Sequence, residues 1–219
     1  MGRLRKNTTY EQKLFSDKKY YIENPFDNLG NWNKDVFKNN NSIEIEIGCG
    51  KGKFIVEKAN LNPNINYVAI DKFPTILYKV LTKINKSENK LDNIKIISID
   101  ANEIENIFNE NEISKIYLNF SDPWPKKHHE KNRLTNNKFL KQYFKILNPN
   151  GIIEFKTDNE SLYKYTLEVL RDNNYNILYE CDDIYNDWEN NANNIQTEYE
   201  IKWKNKKVKI KKIVFSLSK

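Results

Sequence analysis

Ile43-Glu44-Ile45-Glu46-Ile47-Gly48-Cys49-Gly50-Lys51-Gly52 is the stretch whose reading decides the fold. Isoleucine alternates with glutamate over five positions, which predicts a strand with one apolar face. The strand runs directly into three glycines, and a helical stretch, Phe54 to Asn60, follows. Strand, glycine turn and helix in succession open a βαβ unit.

The same rhythm continues on the C-terminal side. Asn66 to Ile70 reads as a second strand stopped by Asp71, and Leu77, Val80, Leu81 and Ile84 recur at helical spacing. Ile94 to Ile99 is a third strand stopped by Asp100, with a short helix at Ile104 to Phe108. Lys115 to Phe120 is a fourth, stopped by Ser121-Asp122; Phe139 to Leu147 is helical and ends at Asn148-Pro149-Asn150-Gly151. Ile152 to Phe155 is a fifth, stopped by Thr157-Asp158, before a helix from Leu162 to Leu170. Tyr175 to Tyr179 and Val208 to Leu217 read as two more strands with no clear helix between them. Strands alternating with helices predict an α/β fold: a Rossmann-like, mostly parallel seven-stranded sheet with helices on both faces and an antiparallel edge. Residues 1–40 show no period and mix basic with aromatic side chains (Arg3, Arg5, Lys6, Tyr10, Phe15, Tyr20, Tyr21, Trp32). They are read as an N-terminal extension that packs partly on a main domain of residues 41–219, either a basic arm toward RNA or a solvated tail.

Composition bounds the function. Hydrophobic residues are only 38%, but 13 Tyr, 11 Phe and 4 Trp supply enough apolar surface for a core and argue against disorder. A net charge of +6 fits a polyanionic partner without demanding one. Cys49 and Cys181 are too few for a disulfide framework and sit in no metal-type cluster. No apolar run approaches a membrane span, and the first residues lack a signal-peptide core, so a cytoplasmic protein is expected.

In open α/β sheets ligands bind at the carboxyl ends of the strands. Here those ends carry Glu46 with the Gly48–Gly52 loop, then Asp71, Asp100, Asp122 and Asp158. Each acid alone could be a helix cap; together they line a cleft that repels a bare phosphate. Such a cleft suits a ligand bearing hydroxyls, amines or positive charge. Asp71 is placed for a ribose diol, and Gly48 and Gly50 for close backbone approach. The loop lacks the G-x-G-x-x-G spacing of a dinucleotide site, so S-adenosylmethionine fits better than a nicotinamide cofactor.

Asn119-Phe-Ser-Asp-Pro-Trp-Pro-Lys-Lys127 leaves the fourth strand through a turn stiffened by two prolines. An aromatic beside an acid and a lysine suits a nucleobase, and Trp124 reads equally well as packing support for the loop. The run Lys126 to Arg133 reads as a phosphate-contacting loop. His128 and His129 are adjacent rather than at helical metal spacing, so no metal is expected.

Glu44-Ile-Glu-Ile-Gly-Cys-Gly-Lys-Gly-Lys-Phe54, Tyr117-Leu-Asn-Phe-Ser-Asp-Pro-Trp-Pro-Lys-Lys127, Phe155-Lys-Thr-Asp-Asn159 and Thr197-Glu-Tyr-Glu200 resemble, in that order, the motifs of the bacterial tRNA (guanine-N7-)-methyltransferases. The resemblance implies the class I methyltransferase fold, S-adenosylmethionine as methyl donor and the guanine at position 46 of the tRNA variable loop as target. It carries Glu46, Asp71, Asp100 and Asp122 over as cofactor-contacting acids and Asp122 as the catalytic residue. Lys126, Asp158, Thr197, Glu198, Tyr199 and Glu200 become substrate-contacting positions. His128, His129, Glu130, Lys131, Asn132 and Arg133 become an RNA-contacting segment. Asp71 departs modestly from the pattern, because many members carry glutamate there. The implied partner is tRNA, and the chain is expected as a monomer or homodimer. Three rivals remain at this level: a methyltransferase of exocyclic base amines, an RNA-binding protein with a defunct cleft, and a nicotinamide-dependent dehydrogenase.

Overall fold

The computed structural model describes residues 6–217. Its strands are β1 (Ile43–Ile47), β2 (Asn66–Asp71), β3 (Ile94–Ser98), β4 (Ile113–Asn119), β5 (Leu147–Thr157), β6 (Asn176–Cys181) and β7 (Lys211–Ser216). Its α-helices are α1 (Thr8–Ser16), α2 (Lys53–Leu61), α3 (Pro74–Ile84), α4 (Asn137–Ile146), α5 (Glu160–Asp172), α6 (Trp188–Asn191) and α7 (Glu198–Lys204). The strands form one sheet in the order β3-β2-β1-β4-β5-β7-β6, parallel except for β7, which runs antiparallel to both neighbours. The chain moves outward from β1 in one direction and then, from β4, in the other. That reversal opens a crevice between the carboxyl ends of β1 and β4.

Isoleucine builds the sheet because β-branched side chains suit a pleated, doubly covered surface. Ile45, Ile116, Ile153 and Ile213 lie in one core cluster with Phe139, Tyr143 and Phe155, and Tyr67, Ala69, Ile94 and Ile96 lie in the other with Leu77, Val80 and Leu81. Local chemistry sets the helix starts. The Asn159 side chain accepts from the Leu162 amide to cap α5, and Pro74 occupies the first turn of α3, where no amide is needed. Gly52 has no substitute: its φ is +77°, and a Cβ there would lie 2.7 Å from Val80 Cγ2.

Over its described part, the segment 1–40 packs on the main domain, as its aromatic residues suggest, and it does so deeply. Leu14 and Trp32 are fully buried, and the Trp32 indole donates to the Ile107 carbonyl at 2.8 Å. Tyr10 stacks on Tyr78 of α3 with ring centroids 4.7 Å apart, and residues 20–22 hydrogen-bond to Ile96 on the outer side of β3. Arg3 and Arg5 lie outside the described residues. Between β6 and β7, read as helix-free, stand α6 and α7, and α7 carries the Thr197–Glu200 motif. No helix of the described residues is long and apolar enough to cross a membrane.

Candidate active site

At the end of β1, Glu46 is 2% exposed. Its Oε1 accepts from Asn119 Nδ2 at 2.8 Å, while Oε2 has no partner among the described residues. Burial pushes the Glu46 carboxyl up to about 8, against the Asn119 hydrogen bond and the Lys156 charge. Asn119 Oδ1 and Ser121 Oγ are likewise buried and unpartnered. The Gly48 and Cys49 amides donate to the Ile70 carbonyl at 2.8 and 3.0 Å, which ties the loop to β2. The Gly50 amide donates to Asp71 Oδ2 at 3.1 Å, and Asp71 Oδ1 accepts from Phe73 N. Burial raises the Asp71 carboxyl, whereas the Asn102 amide lowers that of the exposed Asp100. A Cβ on Gly50 would meet nothing within 4 Å. Open space over the glycines, beside buried acceptors that lack donors, fits a ligand rich in N–H and O–H groups. An α-ammonium, a ribose diol and an adenine amine meet that requirement, so the residues present fit S-adenosylmethionine.

Beyond β4 the backbone is forced into an uncommon shape. Phe120 and Trp124 have φ of 52° and 42°, the left-handed region that bulky residues avoid. Arg133 holds the second of these. Its side chain is nearly fully buried, Nε donates to Pro123 O at 3.0 Å and Nη2 to Trp124 O at 3.1 Å, and the guanidinium lies 4.2 Å from the Tyr165 ring centre. The planar fork suits two adjacent carbonyls. The strained turn bounds a pocket of about 400 Å³ walled by Phe120, Asp122, Trp124, Asp158 and Tyr199. Tyr199 donates to Asp158 Oδ2 at 3.2 Å and packs on Phe120 with centroids 5.1 Å apart.

A buried ion pair sets Tyr199 in place. Lys156 and Glu200 are both fully buried, with Nζ and Oε2 2.9 Å apart. Lys156 also donates to Asn194 Oδ1 and Ile195 O, each at 3.0 Å. Glu200 Oε1 accepts from Tyr185 and Asn194, and Thr197 Oγ1 caps α7 by accepting from the Glu200 amide. Lys53 donates to Gln196 O, and Lys83 pairs with Glu198 at 2.8 Å. Lysines from β5, α2 and α3 thus anchor one segment.

A family model described as "Putative methyltransferase" matches residues 40–213. The tRNA (guanine-N(7)-)-methyltransferase of Malacoplasma penetrans strain HF-2 is 52% identical over 98% of this chain and 97% of its own length. The protein of that name from Geobacillus sp. strain WCH70 is 45% identical, covering 92% of this chain and 89% of its own. The chain belongs to the tRNA (guanine-N7-)-methyltransferase family. Among solved structures, an antibiotic-related methyltransferase aligns with a TM-score of 0.60 at 16% identity, over 83% of this chain and 90% of the other, which shows the shared Rossmann-like methyltransferase fold. S-adenosylmethionine is the methyl donor of this family.

In this family member the residues marked in the sequence separate into two groups. Glu46, Gly48, Gly50, Asp71 and Asp100 lie along the carboxyl edge of β1–β3, while Asp122, Asp158 and Tyr199 meet at the pocket. Lys126, Lys131 and His128 are exposed outside it, His129 lies against Trp124 with centroids 5.5 Å apart, and Glu130 and Asn132 are half-buried. Arg133 is corrected: it points inward as the turn's clasp and is not presented to RNA. The Glu200 carboxylate is paired inside the protein and the Thr197 hydroxyl accepts from the Glu200 amide, so in this structure both support the helix that carries Tyr199. Sequence reasoning missed Asn119, Phe120 and Lys156. A lysine two residues after an inward-facing glutamate in a strand was the available signal for Lys156.

Proposed function

We propose that this chain methylates N7 of a guanine in tRNA, the guanine at position 46 of the variable loop. The observation that carries the reading is the pocket, where two carboxylates and an aromatic turn meet beside the cofactor acids. Asn119 bonds Glu46 on one side and, three residues on, the chain reaches Asp122. Cofactor cleft and base pocket therefore share a wall.

The chemistry asks little of a base. Guanine N7 has an exposed lone pair at neutral pH, so no proton need be removed to create the nucleophile. Bound S-adenosylmethionine supplies an electrophilic methyl group on its sulfonium. The protein's part is orientation and field. Asp158 can accept from the guanine N1–H and N2 amine, donors that adenine lacks at those positions. Asp122 would face the ring that gains positive charge as the N7–C bond forms and the methyl–sulfur bond breaks, the sulfur leaving as a neutral thioether with the electron pair, and its carboxylate would stabilise that charge. Phe120, held by its amide on Lys156 O, and Trp124, held by Arg133, flank the base. Glu46, protonated at neutral pH in the cofactor-free protein, would ionise against the cofactor's ammonium donors, and Asp71 would set a second carboxyl against its hydroxyls.

The test is transfer of labelled methyl from S-adenosylmethionine to unmodified tRNA transcripts, mapped by aniline cleavage. Label with scission at the variable-loop guanine supports the reading. Label without scission moves the target to an exocyclic amine. No label on any tRNA, with the cofactor bound, overturns it.

A further inference from the structure

The lysine-rich run Lys202 to Lys212 is sorted by the fold into two kinds. Lys209, Lys211 and Lys212 meet carboxylates: Asp182 at 3.2 Å, Glu160 at 3.1 Å and Glu154 at 3.5 Å. Lys202, Lys204, Lys206 and Lys207 do not. No carboxylate of the described residues lies within 4.0 Å of any of them, and all four are exposed. The carboxyl end of α7 favours cations, which accounts for Lys202 and Lys204 at most. Lys206 and Lys207 lie past the helix, in a turn fixed by Lys207 at φ 56° and by the Val208 amide donating to Trp203 O at 3.2 Å. Unpaired like charges this close repel one another and are unfavourable in isolation.

The cluster is joined to the pocket. Tyr199, in the pocket wall, contacts Trp203 one turn later with centroids 5.6 Å apart. Lys202 and Lys206 lie over the Trp203 ring at 5.7 and 4.9 Å. An aromatic row, Phe120–Tyr199–Trp203, thus leads from the base site to Lys202 and Lys206, while Lys204 lies over the Tyr185 ring at 4.5 Å and Lys207 follows Lys206 in the chain. On the pocket's other wall, Trp124 and Pro125 lead directly into Lys126 and Lys127.

We infer that Lys202, Lys204, Lys206 and Lys207 form a second phosphodiester-binding surface for the tRNA, across the base pocket from the Lys126–Lys131 loop. The inference rests on the tRNA reading above. The surface contributes affinity without sequence information, since phosphate contacts position a nucleic acid and base contacts specify it. With cations on both walls, the backbone on either side of the flipped guanine is gripped while the base enters between.

The experiment compares wild type with the variant Lys202→Gln/Lys204→Gln/Lys206→Gln/Lys207→Gln. Its control removes the same charge at the amino edge of the sheet, as Lys34→Gln/Lys38→Gln/Lys90→Gln/Lys145→Gln. The dissociation constant for unmodified tRNA is measured from 50 to 300 mM salt, and S-adenosylmethionine binding alongside. The first variant should bind tRNA roughly 10-fold or more weakly, with its log–log salt slope shallower by about two or more. The control should move the slope by less than about one, and cofactor binding should hold in all three. Equal losses in both variants, or an unchanged slope in the first, overturn the surface. The pair Lys206→Gln/Lys207→Gln, outside any helix, repeats the test where helix stability is not at issue and should give about half the slope change. A wild type that binds and methylates no tRNA overturns the activity instead, which keeps the two failures apart.

Discussion

The two sides of the crevice are built by opposite means. On the β1–β3 side the acids proposed for the cofactor stand on consecutive strand ends, and main-chain hydrogen bonds fix the loop, Asp71 and Asp100: the Gly48 and Cys49 amides to Ile70 O, the Gly50 amide to Asp71 and the Asn102 amide to Asp100, with Glu46 alone taking a side-chain donor, Asn119. On the β4–β5 side, side chains far apart in sequence do the fixing. Arg133 clasps Pro123 and Trp124, and Lys156 reaches Asn194, Ile195 and Glu200. A backbone-built site tolerates many side chains around it. A side-chain-built site depends on a few charges, each without a substitute.

The sharpest way to break that contrast is Lys156→Ala. It strands the buried Glu200 carboxylate and should cost about 3–5 kcal/mol in denaturant unfolding. Lys156→Met with Glu200→Leu should recover much of that stability but little activity, since Tyr199 loses its seat; full activity in the double variant would mean that catalysis needs neither the ion pair nor the Glu200 carboxylate. Next comes Asp122→Ala, expected to lower kcat roughly 10²- to 10³-fold with the melting temperature unchanged; a wild-type rate removes Asp122 from the chemistry. Arg133→Ala should cost about 1.5–3 kcal/mol and slow methylation, and Arg133→Lys should rescue little, because an ammonium cannot span both carbonyls. Rescue by lysine would mean that charge alone matters there.

On the cofactor side the effect is read against pH. Folded Glu46 keeps its proton to about pH 8, whereas the unfolded chain releases it near 4.5. The proton therefore favours the folded state at low pH, and cofactor-free stability falls as pH rises from about 4.5 to about 8. Glu46→Gln should flatten that slope in melting curves, and added S-adenosylmethionine should offset it in wild type only. A slope unchanged by the substitution would assign it to other groups.

This contrast also explains what the sequence could disclose. Strand, glycine loop and terminal acid form a local, periodic pattern, so the sheet and the Glu46–Asp71–Asp100 edge were legible. Asp122 and Asp158 followed from the same rule. Arg133 was misplaced, and the pairing of Glu200 was hidden, because the same letters serve for a solvated charge and a buried one; only the partner decides, and Glu200's lies 44 residues away. How deeply the early residues pack was hidden for another reason. Trp32 to Phe37 forms a wide, irregular helical turn with no α-helical period, so its burial left no pattern.

The Tyr20–Ile22 segment lying along β3 has a consequence for handling the protein. Ile94, Ile96 and Ile97 form an apolar outer strand whose free amides and carbonyls the segment meets, Ile22 N to Ile96 O at 3.0 Å and Ile96 N to Tyr20 O at 2.8 Å. A chain trimmed to begin at residue 40, where the family match begins, would leave that row bare. Bare, flat, isoleucine-rich strand borders recruit copies of themselves. Such a truncation should precipitate on expression, and the first forty residues serve solubility as much as stability.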